Sequence, residues 1–447
     1  MNMKKLLVLT ILAGCWVGQA FGQRFDDYFE DRTLRLDYVF AGNSQSQHIF
    51  FEQASTTPRW AGRKSRLAEM PLRGNGQLRL TEPGTGQLLY VHTFSTLFQE
   101  WQTTRQATQM ERAFETSYNV PMPKNPVDVT VTLTNVHGQV VGETTHTIDP
   151  NDILIRHRDP NGTPYRYIWT PDTVPDLTRC IDLAIVAEGY TAAEQDKFYG
   201  DCQRAVDALF AHAPFTTLKN RFNVVAVAAQ SADSGPSIPR EGRWNNTPVG
   251  THYDTFYSGR YLMTQDIHRL YDVLADVPFE HIIVLVNTDT YGGGGIYNQL
   301  LVTTSDHPAF SQVLVHEFGH SYAGLGDEYF YDDSYDTVYP ADTEPWEPNL
   351  TTLKDFSGKW ADLLPEGTPV PTPPAALPDY RNIRSERERC QLNEATRRVG
   401  VFEGGGNQSK GVYRPAQECR MKTNEAEAFC PVCQRAIVCI TDFYTSH

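Results

Sequence analysis

Two kinds of hydrophobic pattern divide the chain. Over residues 24–165, apolar and polar residues alternate in stretches such as 34–40 and 127–133, which is the pattern of strands with one buried face. Turn-forming sequences such as Gly74-Asn75-Gly76 separate these stretches. The pattern predicts an antiparallel β-sandwich, interrupted by one helix over residues 99–115.

From residue 178 to residue 303, predicted strands alternate with predicted helices. Short apolar runs predict strands over 181–187, 222–228 and 281–287, and helical periodicity predicts helices over 191–211 and 265–274. Thr191 and Glu194 have the spacing of a capping box at the start of the first helix. Such alternation is typical of a mostly parallel sheet covered by helices.

These patterns predict an α+β, multidomain protein. We set its boundaries at 23–165 for the β-sandwich and 166–447 for an α/β catalytic domain. Within the second domain, residues 330–415 lack a clear period and include a Pro-rich stretch, so an irregular cleft wall or lid is expected there. The first domain either recruits substrate or acts as a spacer.

Residues 1–22 have the features of a signal peptide. Lys4 and Lys5 precede an apolar core over residues 6–13, which is too short to span a membrane. Two cleavage routes are open: Leu12-Ala13-Gly14-Cys15 fits a lipobox with a lipid anchor at Cys15, and Ala20-Phe21-Gly22 fits ordinary cleavage. Either route predicts an exported protein, whether secreted, periplasmic or on the cell surface.

The net charge and the hydropathy of the chain restrict the classes of partner that it can bind. The net charge is -15 over 447 residues, which disfavours nucleic acid and anionic membranes as partners. After the signal peptide, the sequence contains no apolar run long enough for a transmembrane span. We therefore expect a protein or peptide partner.

A metal site and a reaction are predicted by the stretch His316-Glu317-Phe318-Gly319-His320. Histidines four apart on a helix share one face, so both imidazoles can bind a single zinc ion. An apolar stripe predicts that helix, with Asp306 as its N-cap and Gly324 as its stop. Glu317 is then placed to act as general base on a zinc-activated water.

A catalytic zinc site needs a third protein ligand. Asp327 follows Gly324 by three residues, as the third ligand does in metzincins, although the gap between His320 and Gly324 is one residue longer than in that pattern. Glu328 is the alternative ligand. Tyr329 is a candidate oxyanion stabiliser, and Met421 is a candidate for the methionine turn that lies below the zinc in metzincins.

Export permits disulfides, and the cysteines leave several alternatives open. Cys180 and Cys202 flank a predicted strand and helix and can pair, and four cysteines after residue 418 can staple the C-terminal segment. Cys430 and Cys433 also fit half of a zinc knuckle or a redox pair. No second CxxC accompanies them, which weakens the zinc-knuckle interpretation, and no thioredoxin-like βαβ pattern surrounds them, which weakens the redox interpretation.

Two further segments have a functional and a structural interpretation. The glycines of 292–295 form either an edge strand beside the substrate backbone or a flexible surface loop. Asp332, Asp333 and Asp336 either bind calcium or form a solvated acidic loop, and their spacing is not that of an EF-hand.

Three blocks of sequence resemble the IgA peptidase family of zinc metallopeptidases, which is peptidase family sixty-four. They are residues 182–191, residues 316–329 with the two histidines, and residues 429–437 with Cys430 and Cys433. The resemblance spans roughly residues 165–447. It implies a metzincin-like catalytic domain, one catalytic zinc ion held by His316, His320 and Asp327, and Glu317 as the catalytic base.

The sequence thus predicts an exported zinc-dependent endopeptidase that hydrolyses peptide bonds of an extracellular protein. One alternative is a surface binding or adhesion protein whose peptidase domain is inactive or secondary. Another is a zinc amidase that acts on cell-wall or glycan amides. The family's name does not identify the substrate of this chain.

Overall fold

The N-terminal half of the protein is built from two four-stranded sheets. The computed structural model describes residues 23–172, 179–331, 338–376 and 385–446. One sheet has the order β5-β1-β2-β8 and the other the order β4-β3-β6-β7. Their strands are β1 (Phe29–Gly42), β2 (Gln47–Thr57), β3 (Gly76–Thr81), β4 (Leu88–Phe94), β5 (Arg112–Pro123), β6 (Val127–Thr134), β7 (Val140–Ile148) and β8 (Arg156–His157).

Alternating apolar residues of these strands meet in one core. Leu34, Leu36 and Tyr38 of β1 pack in the same buried cluster as Leu78 of β3 and Val131 of β6. The pairs within the sheets are antiparallel except for the short parallel pair of β2 and β8. The period-2 pattern therefore predicts this strand-rich region correctly.

The helix expected over residues 99–115 is only partly present. Helix α2 (Leu97–Trp101) and a 3₁₀ turn (Arg105–Thr108) occupy its start, and β5 begins at Arg112. A short helix α1 (Phe25–Tyr28) precedes β1. From Arg112 onward the chain pairs with β1 over its whole length, and this pairing overrides local helical preference.

A six-stranded sheet forms the centre of the second half, in the order β13-β14-β12-β10-β11-β9. Strands β10, β11, β12 and β14 are parallel, whereas β9 and β13 are antiparallel edge strands. The strands are β9 (Tyr165–Trp169), β10 (Ile181–Glu188), β11 (Phe222–Val227), β12 (His281–Val286), β13 (Gly293–Ile296) and β14 (Leu300–Thr304). The predicted mostly parallel sheet is present.

The two helices predicted over residues 191–211 and 265–274 are present within a few residues of those bounds. Thr191 and Glu194 form the expected capping box, which opens a 3₁₀ turn before α3. The helices are α3 (Gln195–Ala211), α4 (Phe215–Leu218), α5 (Ile267–Val273), α6 (Phe310–Ala323), α7 (Glu386–Thr396) and α8 (Pro431–Thr445). The protein is thus α+β, with several separate sheets.

The region expected to be irregular contains a third sheet. Strands β16 (Phe402–Gly405) and β17 (Asn407–Arg414) form a hairpin, and β15 (Phe330–Tyr331) pairs in parallel with β17. These strands are too short, and their burial too irregular, for a clear period in the sequence. Residues 338–376, by contrast, consist of turns and short 3₁₀ segments.

A single buried cluster joins the two halves. It contains residues of β1 and β5 together with residues of β10, β12 and β14. Polar contacts cross the same boundary: Arg35 Nη1 donates to Asp272 Oδ1 at 2.5 Å, and Asn298 Nδ2 donates to the Thr93 carbonyl at 2.7 Å. The strand-rich half is therefore packed directly on the second half.

Some sequence predictions concern residues outside the described ranges. They are the signal peptide, the lipid anchor at Cys15, and calcium binding by Asp332, Asp333 and Asp336. Among the described helices, none is both long and apolar enough to span a bilayer.

Candidate active site

Helix α6 carries the histidines at the edge of the six-stranded sheet. Its buried face, which includes Val313, Leu314 and Phe318, packs on the sheet, and Gly324 ends it in the left-handed conformation with φ of 59°. The helix begins at Phe310 rather than at an N-cap on Asp306. Asp306 instead forms an ion pair with Lys197 at 2.8 Å, so that part of the prediction was wrong.

Three acceptor atoms converge beside α6. His316 Nε2 and His320 Nε2 are 3.0 Å apart. Asp327 Oδ1 lies 3.2 Å from the first and 3.1 Å from the second. A tetrahedral ion bound at about 2.0–2.1 Å sets its ligand atoms about 3.3 Å apart, so this triangle has the size that such an ion requires.

Backbone carbonyls orient both imidazoles. His316 Nδ1 lies 2.9 Å from the Arg420 carbonyl, and His320 Nδ1 lies 2.6 Å from the Leu325 carbonyl. A carbonyl oxygen only accepts hydrogen bonds, so each Nδ1 donates, and each ring in its neutral form presents the lone pair of Nε2. Two lone pairs and a carboxylate oxygen facing one point are mutually repulsive unless a cation or proton lies between them. The three residues can hold a divalent cation.

Glu317 lies beside the same point. One carboxylate oxygen of Glu317 and one ring nitrogen of each histidine lie within 4.8 Å of one another. Burial raises the pKa of Glu317 above its ordinary value, which brings a carboxylate closer to the range useful for proton transfer near neutral pH.

The glycine-rich segment forms strand β13, so the surface-loop alternative is wrong. A Cβ on Gly293 would lie 3.2 Å from Glu317 Oε1, and one on Gly295 would lie 2.6 Å from the Glu317 carbonyl oxygen. Glycine thus permits the edge strand to approach α6 closely. The outer side of β13 is partly covered, since Tyr261 forms an isolated bridge with Gly293.

Asp327, Glu328 and Tyr329 have different surroundings although they are adjacent. Backbone bonds fix the segment: Gly406 N–H donates to the Asp327 carbonyl at 2.7 Å, and Glu328 N–H donates to the Met421 carbonyl at 2.8 Å. Glu328 Oε1 accepts from Asn349 Nδ2 at 3.0 Å and lies 3.1 Å from Cys433 Sγ. The side chain of Glu328 is therefore directed away from the histidines.

Tyr329 lies at the rim of the histidine pair. Its ring is nearly parallel to that of His316, with centroids 6.4 Å apart and an angle of 12° between the planes. The charge of Asp327 and burial raise the pKa of Tyr329 well above its ordinary value. Its hydroxyl therefore remains protonated and can donate a hydrogen bond.

Met421 lies directly beneath α6. It is fully buried, and a Cβ on Gly319 would lie 2.6 Å from its Sδ. The neighbouring carbonyl of Arg420 orients His316. The segment around Met421 thus supports the floor of the site.

Sequence reasoning missed a contribution from the strand-rich half. Glu100 of α2 accepts a hydrogen bond from Tyr261 at 2.6 Å. The backbone of Tyr261 in turn pairs with Gly293 of β13. Glu100 therefore lies near the edge strand that borders the site. No local motif marks it, because only the packing of the two halves brings it there.

Two expected disulfide pairings, between Cys180 and Cys202 and among the described cysteines after residue 418, are not formed. Cys202 is not paired with Cys180, and Cys439 is exposed. Cys419 Sγ and Cys433 Sγ are 3.8 Å apart, compared with about 2.05 Å in a disulfide. The C-terminal cysteines cluster as predicted, but as separate thiols.

Comparison with protein families agrees with the resemblance. The model described as IgA Peptidase M64 matches residues 171–390 and 380–441, and the model described as Peptidase M64 N-terminus matches residues 24–144. The chain belongs to the M64 peptidase family. It is therefore a metallopeptidase. No curated protein matches this M64 chain.

The two matched regions together include every residue of the candidate site. The histidines, Asp327 and Met421 lie in the peptidase match, and Glu100 lies in the N-terminal match.

Proposed function

We propose that this M64 peptidase is an exported zinc-dependent endopeptidase that hydrolyses peptide bonds of an extracellular protein. His316, His320 and Asp327 are the proposed zinc ligands. One observation carries the proposal: three acceptor atoms lie 3.0–3.2 Å apart, and both histidines are oriented from behind by carbonyl groups. The donor set of two imidazoles and one carboxylate suits zinc.

The proposed chemistry assigns a separate task to each remaining group. Zinc, when bound, polarises a water molecule and the substrate carbonyl. Glu317 accepts a proton from the attacking water and delivers it to the leaving amine. The protonated hydroxyl of Tyr329 donates to the oxygen on which negative charge develops.

The catalytic domain is proposed to be metzincin-like and to occupy residues 166–447, after a β-sandwich domain at 23–165. A helix with two histidines, a left-handed Gly324 before the third ligand, and a buried Met421 beneath the helix support this proposal. In this proposal the edge strand β13 and Glu100, which accepts from Tyr261 beside that strand, border the cleft. A protein chain is the proposed substrate, lying between them.

The experiment is cleavage-site profiling with Glu317→Gln as the matched variant. Wild type, Glu317→Gln and the exposed control Glu241→Gln are each incubated with a diverse peptide library and with acetylated glycans, and new termini are read by mass spectrometry. We expect peptide cleavage by wild type and control, and a fall of about 10²–10⁴-fold in Glu317→Gln with zinc content unchanged.

A chelator should abolish cleavage and added zinc should restore it. Equal peptide cleavage by Glu317→Gln would overturn the assignment of the base. Hydrolysis of glycan amides with no peptide cleavage would overturn the endopeptidase and favour a zinc amidase. If the wild type hydrolyses neither peptides nor glycan amides but binds a protein partner tightly, the result would favour a binding protein.

A further inference from the structure

A second cluster of metal-binding side chains lies on the far side of the segment that carries Asp327. Glu328, Cys419, Cys430 and Cys433 each place one ligand atom within 4.8 Å of the others. All four residues are fully buried. They come from three places in the chain: the segment after α6, the turn that holds Met421, and the first turn of α8.

We propose that these four residues bind a second, structural zinc ion. Three thiolates and one carboxylate complete a closed tetrahedral set, as expected for zinc sites that have no open position for water. Soft thiolate ligands also favour zinc over magnesium or calcium. This site is separate from the catalytic one and does not depend on the proposed activity.

The spacing fits such an ion. Two thiolates bound to zinc at about 2.3 Å lie about 3.8 Å apart in a tetrahedral site, and Cys419 Sγ and Cys433 Sγ are 3.8 Å apart. The backbone N–H of Cys430 donates to Cys419 Sγ at 3.2 Å. That bond favours a thiolate, which is the form that binds metal.

Glu328 provides the independent observation. Its Oε2 is buried and has no hydrogen-bond partner among the described residues, although a buried carboxylate oxygen without a partner is costly. Asn349 Nδ2 occupies Oε1 at 3.0 Å and holds the carboxylate in place, as supporting groups do for metal ligands. Oε1 also faces the cluster, at 3.1 Å from Cys433 Sγ, so a cation held among the thiolates would offset the charge of the carboxylate to which the unpartnered Oε2 belongs.

A disulfide would not account for the cluster as well. Any one bond among the three cysteines leaves the third thiol and the Glu328 carboxylate buried together without a cation. A single zinc ion uses all four groups. The positive charge of buried Arg414 offsets part of the remaining negative charge, since it acts electrostatically on Glu328.

The two ions are then linked through adjacent residues. Asp327 faces the histidines and Glu328 faces the cysteines. In the same way, the Arg420 carbonyl orients His316 while its neighbour Cys419 belongs to the second cluster. The structural ion therefore fixes the two segments that shape the catalytic centre.

The first test uses zinc content and zinc X-ray absorption of the purified full chain. We expect two zinc ions per wild-type chain and one in the His316→Ala/His320→Ala variant. The ion retained in that variant should show sulfur neighbours at about 2.3 Å. One ion in wild type with none in the double variant would overturn the proposal, as would a retained ion that lacks sulfur neighbours.

The double variant also separates this proposal from the proposed function. Loss of peptide cleavage with retention of the sulfur-bound ion supports the structural site whatever the enzyme's substrate proves to be. Failure of the wild type to cleave peptides leaves the expected sulfur signal unchanged.

The second test addresses the ligands directly. Glu328→Gln preserves the shape and removes the charge, and we expect roughly a tenfold or greater loss of affinity for the sulfur-bound zinc in chelator competition. The control is Cys439→Ser, which changes an exposed thiol of α8, the helix that also carries Cys433. This variant should bind zinc as the wild type does. Unchanged affinity in Glu328→Gln would remove Glu328 from the ligand set.

Thiol alkylation excludes the disulfide without relying on a variant that has to fold. Wild-type protein is denatured with a chelator and no reductant, alkylated, and analysed as peptides by mass spectrometry. We expect Cys419, Cys430 and Cys433 all to be alkylated. Recovery of a peptide pair joined by a disulfide between any two of them would overturn the metal site.

Discussion

At the scale of single residues, two neighbouring carboxylates lie in different surroundings. Asp327 lies 3.1–3.2 Å from the imidazole nitrogens of the histidine pair, whereas Glu328 lies among buried cysteines. The sequence alone leaves Asp327 and Glu328 as rival ligands, because both are acidic and adjacent. The backbone bond from Glu328 to the Met421 carbonyl is what directs the two side chains apart.

Asp327→Asn should weaken zinc binding at the histidine pair. The change removes the only negative charge of the proposed ligand set, and loss of a ligand should cost at least about 100-fold in zinc affinity. Chelator competition measures this affinity. Asp342→Asn, whose side chain is 74% exposed, is the control. An affinity equal to that of the control would show that another residue supplies the third ligand.

Tyr329→Phe should lower kcat about 10²-fold while KM and zinc content stay near wild type, because one donor to the developing charge is lost. Steady-state kinetics on a peptide substrate measure kcat and KM separately. Packing of Tyr329 on His316 is preserved by phenylalanine. A variant with unchanged kcat would therefore show that the ring only packs.

At the scale of elements, the capping box before α3 does more than start a helix. Glu194 Oε2 accepts from Thr191 N–H at 2.9 Å, and Oε1 accepts from Ser234 Oγ at 2.8 Å and Asn287 Nδ2 at 3.0 Å. Burial opposes ionisation, but these hydrogen bonds lower the pKa of Glu194 to about 2. The carboxylate thus joins α3 to the end of β12.

Glu194→Ala should destabilise the protein by about 1 kcal/mol at neutral pH. The pKa of Glu194 lies below its ordinary value of 4.5 in the folded protein, so its stabilisation is present above that value and is lost as pH falls towards about 2. Urea unfolding should show the gap between variant and wild type shrinking over this range. A gap that is constant with pH would contradict the ionic role, and Glu194→Gln tests the geometry alone.

The elements that the sequence predicts well are those with a strong period. The alternation in β1 and β6, the apolar run of β12 and the histidine helix are all present near their expected bounds. The N-cap of α6 failed as a prediction because Asp306 is drawn to Lys197 and Arg204 of α3. A contact with a distant helix cannot be read from the local sequence.

In the candidate site, too, the residues with a local sequence signal were predicted and those brought together by tertiary packing were not. The spacing of His316 and His320 is a local signal, and their convergence matches it. By contrast, Cys419 joins Cys430 and Cys433 only through a turn, and Glu100 meets Tyr261 beside β13 only through packing of the two halves. The group of four cysteines after residue 418 was the one local signal for the second cluster.

At the scale of the whole molecule, the two halves share one interior. Leu72 of the strand-rich half lies so close to Gly324 that a Cβ there would be 2.8 Å from its Cδ1. Gln299 Nε2 donates to Thr116 Oγ1 at 3.0 Å in a buried contact. The turn that precedes the third proposed ligand is therefore braced by the other half.

A chain that begins at residue 159 should fail to fold cooperatively, because its side of the shared core would be exposed to water. Full-length protein should unfold in one transition when observed by near-ultraviolet circular dichroism and by calorimetry. A soluble fragment with its own sharp transition would contradict this, as would two separate transitions in the full chain.

The support of His316 by the carbonyl of Arg420 has a consequence for the order in which the enzyme is made. The histidine helix leaves the ribosome about a hundred residues before the turn that orients it, and residues of α8 follow later still. During synthesis, a chain emerging from its N-terminus has both imidazoles but not the support that aims them. The nascent chain therefore lacks the group that orients His316 until residue 420 has been made, so the proposed metal centre can form only after synthesis has passed that turn.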